Sequence, residues 1–285
     1  MSSSIDSTQT KLPHGAYGLR ISGIPDDLLL GPAAEGWPAL EVKVEVGELD
    51  ADEEQLDDDR ALIRLRTGGW IKLRREPGRA LYIVPTPLSA DELVHPFLAP
   101  AAALFAHWHG REGLHGGAIA LGGTAWGVIG DRLGGKSSLL AALAVGGTDV
   151  VCDDALVLDR SIAFPGPRTI DLREDAAAAL KVGEEIGVAG ARERWRVRLA
   201  PLDRSLSIGG WVFTEWADEL ALRRLPASET LARLFRNRSI RVPPRDPAVF
   251  IQLSALPAWE LRRPRSWSSL PETLGLLLGV LGAEA

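Results

Sequence analysis

Apolar and polar positions fall into two regimes along the chain. Up to about Pro87 the pattern is that of strands. Leu40-Glu-Val-Lys-Val-Glu-Val46 alternates apolar and charged residues, the period of a strand with one wet face. Tyr17–Ile21, Ala61–Arg66 and Leu81–Val84 also read as strands. The acidic run from Asp50 to Asp59 between two of them reads as a solvated loop. Residues 1–14 are polar, with no apolar core, and read as a disordered tail, which leaves a small β-rich domain over residues 15–95. Pro85, Pro87, Pro96 and Pro100 punctuate its exit. Beyond a soft boundary near residue 95 strands and helices mix, starting with a helix over 101–109. That predicts an α/β domain over residues 96–285, closed by a Leu-rich helix over 271–281.

Within this second region Gly130-Asp-Arg-Leu-Gly-Gly-Lys-Ser137 matches G-x-x-x-x-G-K-[ST] at every defined position. Each position has a physical reason. Gly130, Gly134 and Gly135 let the backbone curl so that several N–H groups face one anion. Lys136 offers a point charge to the β- and γ-phosphates, and Ser137 offers a hydroxyl to Mg²⁺. Thr124–Ile129 before the loop reads as a buried strand. Ser138–Val145 after it reads as a helix stopped by Gly146-Gly147, and its positive end lies under the phosphates, with Ser138 in the binding set. Two features are unusual. Leu133 stands at the fourth position, where many such loops have glycine, and a requirement for positive φ there strains the leucine. Arg132 inside the loop is placed to reach a phosphate or a substrate.

The strand Leu114–Leu121 is joined to Thr124–Ile129 by Gly122-Gly123, a two-residue hairpin turn. With Leu121 opposite Thr124, stepping outward sets His115 opposite Gly130. An imidazole therefore comes to the mouth of the loop, either to act there or simply to cap a strand end. After the loop helix, Asp153-Asp154 interrupts a run of apolar, strand-like residues, Val150–Val151 and Ala155–Leu158. Unpaired buried carboxylates are costly, and a Mg²⁺ ion with an accepting hydroxyl removes that cost. Neighbouring strand side chains point to opposite faces, so the two aspartates are expected to do different work. One holds the metal and one accepts a proton from the attacking hydroxyl. The residues leave the order open; we set Ser137 and Asp154 on the metal side. Cys152 reads as a small core residue, and His107 and His109 as packing or solvent-facing residues.

Composition narrows the class. With 285 residues, 46% hydrophobic and 25% charged, the chain is an ordinary globular protein, and a net charge of −6 argues against nucleic acid as a partner. One cysteine allows no internal disulfide. The first residues form no secretory signal, and the apolar stretch Leu274–Leu281 is too short to span a bilayer. A cytoplasmic, non-membrane protein is the default expectation. Among 32 basic residues only Lys11, Lys43, Lys72, Lys136 and Lys181 are lysine, so the one inside the loop stands out.

Three stretches in order, His115-Gly-Gly-Ala-Ile-Ala-Leu121, the loop Gly130–Ser137 and Gly146-Gly-Thr-Asp-Val-Val-Cys-Asp-Asp154, resemble the catalytic core of HPr kinase/phosphorylase and its kinase-like relatives. The resemblance covers roughly residues 114–159. Phe164-Pro-Gly-Pro-Arg-Thr-Ile-Asp-Leu-Arg173 looks like a segment of relatives associated with modified peptides, including lasso-peptide pathways. The resemblance implies a phosphoenolpyruvate carboxykinase-like P-loop fold behind a small β-rich N-terminal domain. It also implies transfer of the ATP γ-phosphate to a serine hydroxyl, with ATP and Mg²⁺ as cofactors, Lys136 and Ser137 on phosphate and metal, Asp153/Asp154 as base and metal site, and His115 beside them. The acidic C-terminal signature of the bifunctional kinase/phosphorylases is absent, so the reverse activity is not carried over.

Arg168 and Arg173 are candidates for stabilising transferring phosphate charge, or for surface ion pairs. Arg192, Arg194, Arg196 and Arg198 alternate along a strand, which makes either a basic wet face or a patch for an acidic peptide. The reading is a kinase acting on a peptide or small protein, with a ribosomally made precursor among the candidate acceptors. A non-catalytic nucleotide-binding or peptide-recognition module and a small-molecule kinase stand as alternatives. A homo-oligomer is left open.

Overall fold

The computed structural model describes residues 14–24 and 29–284. Residues 1–13 of the expected tail lie outside the described residues, and His14 opens the first strand. Eight strands between His14 and Val84 form one sheet, mostly antiparallel, with Ala39–Val46 running parallel to both Leu19–Ser22 and Arg79–Val84. The strand expected over Tyr17–Ile21 is instead broken by a turn. Tyr17 and Gly18 both take positive φ, and His14–Ala16 pairs back onto Leu19–Ile21. The acidic run is exposed apart from the half-buried Ala51 and holds only a two-residue strand, Gln55–Leu56.

The helix Leu98–Trp108 is buried along almost its whole length, as an interior helix must be when it is apolar all round. Its residues share one core with the N-terminal sheet and with Ala155, Val157 and Phe164 further on. The region that follows is a mixed sheet. Glu112–Leu121 and Thr124–Gly130 form a hairpin, with Leu121 opposite Thr124 and Gly116 opposite Ile129, the register that the Gly122-Gly123 turn implies. Thr124–Gly130 also runs parallel to Leu206–Trp216, which in turn runs parallel to Ala258–Arg263. Alternation divides these strands between two cores. Ala118, Ala125 and Ile129 face one side with Trp211 and Phe213. Ile119, Trp126 and Val128 face the other, against the helix Lys136–Val145 and the C-terminal helix Leu270–Glu284.

A smaller sheet of Thr169–Leu172, Glu184–Ala189 and Arg192–Arg198 flanks this assembly. Among the described residues no helix is long and apolar enough to cross a membrane.

The packing behind the loop is close at Gly117. A Cβ there would lie 2.5 Å from the Cys152 carbonyl oxygen and 2.5 Å from Leu140 in the loop helix. Gly117→Ala should therefore destabilise the fold by about 1–3 kcal/mol, the usual cost of overpacking. A denaturant midpoint equal to that of the wild type would contradict this packing.

Candidate functional site

The loop begins where Thr124–Gly130 ends, at the C-terminal edge of a parallel strand triple, and leads into the helix Lys136–Val145. Leu133 has φ 69°, so the position does demand the left-handed region, and a leucine occupies it at a cost of about 1–2 kcal/mol. Its side chain is 61% exposed, so no core contact compensates. Gly135 also has positive φ, 76°, and caps the helix. Gly130 is needed for a different reason, because a Cβ there would sit 2.5 Å from the Thr214 hydroxyl.

Lys136 is buried and folds back, its ammonium donating to the Gly130 carbonyl at 2.8 Å and the Asp131 carbonyl at 2.9 Å. Burial lowers its pKa, while the charges of Asp153, Asp154 and Asp131 work the other way. His115 Nε2 lies 3.4 Å from that ammonium, and Nδ1 lies 3.2 Å from the Asp154 carbonyl oxygen. Burial first, then the lysine charge, depresses the imidazole's pKa. A neutral ring with its proton on Nδ1 satisfies both contacts, accepting from Lys136 and donating to the carbonyl.

Asp153 and Asp154 occupy the turn between the strands Val150–Cys152 and Ala155–Asp159, not consecutive strand positions as expected. Asp154 has φ 69°, and this turn sends the two carboxylates apart. Asp153 is 5% exposed and accepts from the Ser137 hydroxyl at 3.1 Å. Burial, and then the charge of Asp154, raise its pKa. Removing a carboxylate from water costs several kcal/mol, and hydrogen bonding to a charged group returns about 1.5–3 kcal/mol. The charge of His95, the Ser137 hydroxyl and the Asp154 backbone favour the carboxylate, yet burial and the Asp154 charge still raise its pKa, and a divalent cation beside Ser137 would offset that. The pair thus fits Mg²⁺. Among the described residues no group of three or more His, Cys, Asp or Glu side chains could hold a metal ion.

Asp154 turns the other way, to a histidine that the sequence did not single out. His95 Nε2 lies 3.4 Å from Asp154 Oδ2, and His95 Nδ1 lies 2.8 Å from Asp171 Oδ2. Asp171 is held in turn by Arg196, through Nε at 2.7 Å and Nη2 at 2.8 Å, and Arg196 also pairs with Asp91. Burial opposes the charge of His95, but hydrogen bonds to Asp154 and Asp171 outweigh it and raise its pKa from 6.5 to about 9. For Asp154 burial is likewise outweighed, chiefly by His95, which holds the carboxyl well below the usual carboxylate range. No sequence signal pointed to His95, because Asp171 and Asp154 lie far away in the chain.

The arginines divide. Arg168 is not available to a phosphate: buried beneath the site, it donates to the carbonyls of Val150, Val151 and Ala200. Its expected role is therefore replaced by a structural one. Arg173 is exposed, and Arg192 is half-buried. Neither these two nor Arg132 forms an ion pair among the described residues, and the charges of Arg173 and Arg132 both bear on Arg192. Arg194 and Arg196 are buried around His95 and Asp171, so the alternating arginine strand is only partly a wet face. Cys152 is a buried free thiol, as expected of a core residue. Three further residues reach the loop unforeseen: Thr214, Trp216 and Arg263, from the ends of the neighbouring parallel strands.

The charged chain predicts a pH dependence. His95 gains protons' worth of stability on folding, so its contribution is full below pH 6.5 and is lost as pH rises through about 9. The difference in unfolding free energy between wild type and His95→Gln should shrink by on the order of 3 kcal/mol between pH 6 and pH 10. A difference independent of pH would contradict the protonated bridge.

No protein-family model matches the chain, and no curated protein matches it. Among solved structures it is similar to the HPr(Ser) kinase/phosphatase from Coxiella burnetii, at 13% identity and a TM-score of 0.32, over 61% of this chain and 99% of that one. At so low an overlap the likeness lends no weight to a function, and the loop's own geometry has to stand by itself.

Proposed function

We propose that the protein is an ATP- and Mg²⁺-dependent phosphotransferase that moves the γ-phosphate to a hydroxyl, most simply a serine, of a peptide or small protein. The observation that carries this reading is the contact between Ser137 and the buried Asp153 at the end of a glycine loop. A hydroxyl and a carboxylate so placed, beside a lysine and the first amides of a helix, form a donor set for Mg²⁺ and a triphosphate. We assign Asp153 to the metal side in place of the Asp154 set there from the sequence, because Ser137 bonds to Asp153. Bound there, Mg²⁺ supplies positive charge to the β- and γ-phosphate oxygens.

The other carboxylate then serves the acceptor. Asp154 is ionised, a third exposed and fixed by His95, so it can orient an acceptor hydroxyl and take its proton. The acceptor oxygen forms a bond to the γ-phosphorus, the bond to the β-phosphate bridging oxygen breaks, and the displaced electron pair leaves on ADP. Lys136 exchanges the carbonyls of Gly130 and Asp131 for phosphate oxygens. The neutral His115 beside it accepts a hydrogen bond without adding a competing charge. Arg132, Arg173 and Arg192, which have no carboxylate partner among the described residues, make a basic approach suited to an anionic phosphate or an acidic acceptor segment.

Calorimetry with Mg·ATP tests the site. Lys136→Ala should weaken binding by about 10- to 100-fold, the equivalent of losing one or two charge-assisted hydrogen bonds. Asp154→Asn should largely keep ATP while slowing γ-phosphate transfer to a serine peptide by about 10²- to 10⁴-fold. Normal turnover by Asp154→Asn would overturn its role. A wild type that does not bind ATP would leave a peptide-recognition scaffold as the better reading.

A further inference from the structure

Three consecutive carbonyls of the loop are each met by a side chain from the ends of two parallel strands. Trp216 Nε1 donates to the Leu133 carbonyl at 2.9 Å, and the Thr214 hydroxyl lies 3.3 Å from the Gly134 carbonyl. Arg263 Nη2 donates to the Gly135 carbonyl at 3.0 Å. In a trans peptide the C=O and the following N–H point in opposite directions. Carbonyls drawn toward the strands therefore turn the N–H groups of Gly135 and Lys136 to the open side of the loop. These amides precede the first intrahelical bonds, so they are free to face an anion.

Arg263 is itself anomalous. It is 3% exposed, forms no ion pair with a described carboxylate, and its Nε has no hydrogen-bond partner. Burial lowers its pKa from 12.5 to about 10, with no anion to counter the effect. Its guanidinium lies over the Trp216 ring, 4.2 Å from the centroid, and a Cβ on Gly135 would strike both side chains. A lone buried cation is costly to the fold by itself, and its guanidinium is spent here on the Gly135 carbonyl and the Trp216 ring.

We propose that Arg263, braced on Trp216, together with Thr214 and Trp216, locks the loop in its anion-receiving form by holding its carbonyls on the strand side. The proposal rests on the nucleotide reading of the loop and adds to it a device outside the loop sequence. Arg263 is a positioning residue that acts on the anion through the Gly135 peptide it holds.

The test uses inorganic pyrophosphate as the probe, with calorimetry and thermal unfolding of the intact chain. Arg263→Met should weaken pyrophosphate binding by at least about tenfold. Without ligand the same variant should melt at or above the wild-type temperature, because an uncompensated buried charge is gone. Arg263→Lys should recover part of the binding. Equal pyrophosphate affinity in wild type and Arg263→Met, alongside loss in Lys136→Ala, overturns this proposal alone. So does a marked drop in melting temperature in both Arg263→Met and Trp216→Phe, which would make the pair simply structural. A wild type that fails to bind pyrophosphate overturns the nucleotide reading beneath it.

Discussion

The parallel pairing of Thr124–Gly130 with Leu206–Trp216, and of the latter with Ala258–Arg263, is the constraint from which the site follows. Parallel strands bring their C-terminal ends to one edge, and the crevice beyond that edge is where α/β proteins gather ligand-binding loops. Here the edge supplies both partners of the contact. The loop leaves one strand, and Thr214, Trp216 and Arg263 rise from the ends of the other two to meet its carbonyls. A register shift of one residue would send each of these side chains to the opposite face. The loop would then keep its sequence but lose its support, and Leu133 would have nothing to hold it at φ 69°.

A second layer of order comes from charge. Asp91, Arg196, Asp171, His95 and Asp154 form one line of alternating sign, from the start of the helical segment after the N-terminal sheet to the turn beside the loop. Alternation lets each group compensate the next in a place where an isolated ion would be costly. It also fixes Asp154 in a direction opposite to that of Asp153. The two adjacent carboxylates thereby acquire different environments, one buried against a hydroxyl, the other pinned by a cation and open to solvent. Divergent environments for paired carboxylates are the usual basis for giving them different chemical work.

Local features of this site were legible in the sequence. The glycine loop, its helix, the Gly122-Gly123 hairpin and the placing of His115 near the loop all follow from spacing along a short stretch of chain. The strain at Leu133 was legible too, since it depends on one residue's φ. What escaped were contacts between distant residues. His95 meets Asp171 only because the N-terminal region and the small arginine-bearing sheet pack together, and Arg263 meets Gly135 only through the strand register. Two errors had local causes. Tyr17-Gly18 was read within a strand because its flanks are apolar, although both residues take the left-handed turn. Arg168 was a candidate for phosphate charge or for a surface ion pair, whereas its buried guanidinium is spent on three backbone carbonyls.

The central claim is that the Gly130–Ser137 loop holds a nucleotide triphosphate with a cation between Ser137 and Asp153. A crystal structure grown with Mg²⁺ and the non-hydrolysable β,γ-imido analogue of ATP tests it most directly. The account predicts phosphate oxygens on the Gly135 and Lys136 amides, Lys136 released from the Gly130 and Asp131 carbonyls, and Mg²⁺ on the Ser137 hydroxyl with Asp153 beside it. Density for the analogue elsewhere, with Lys136 still bonded to those carbonyls, would contradict it.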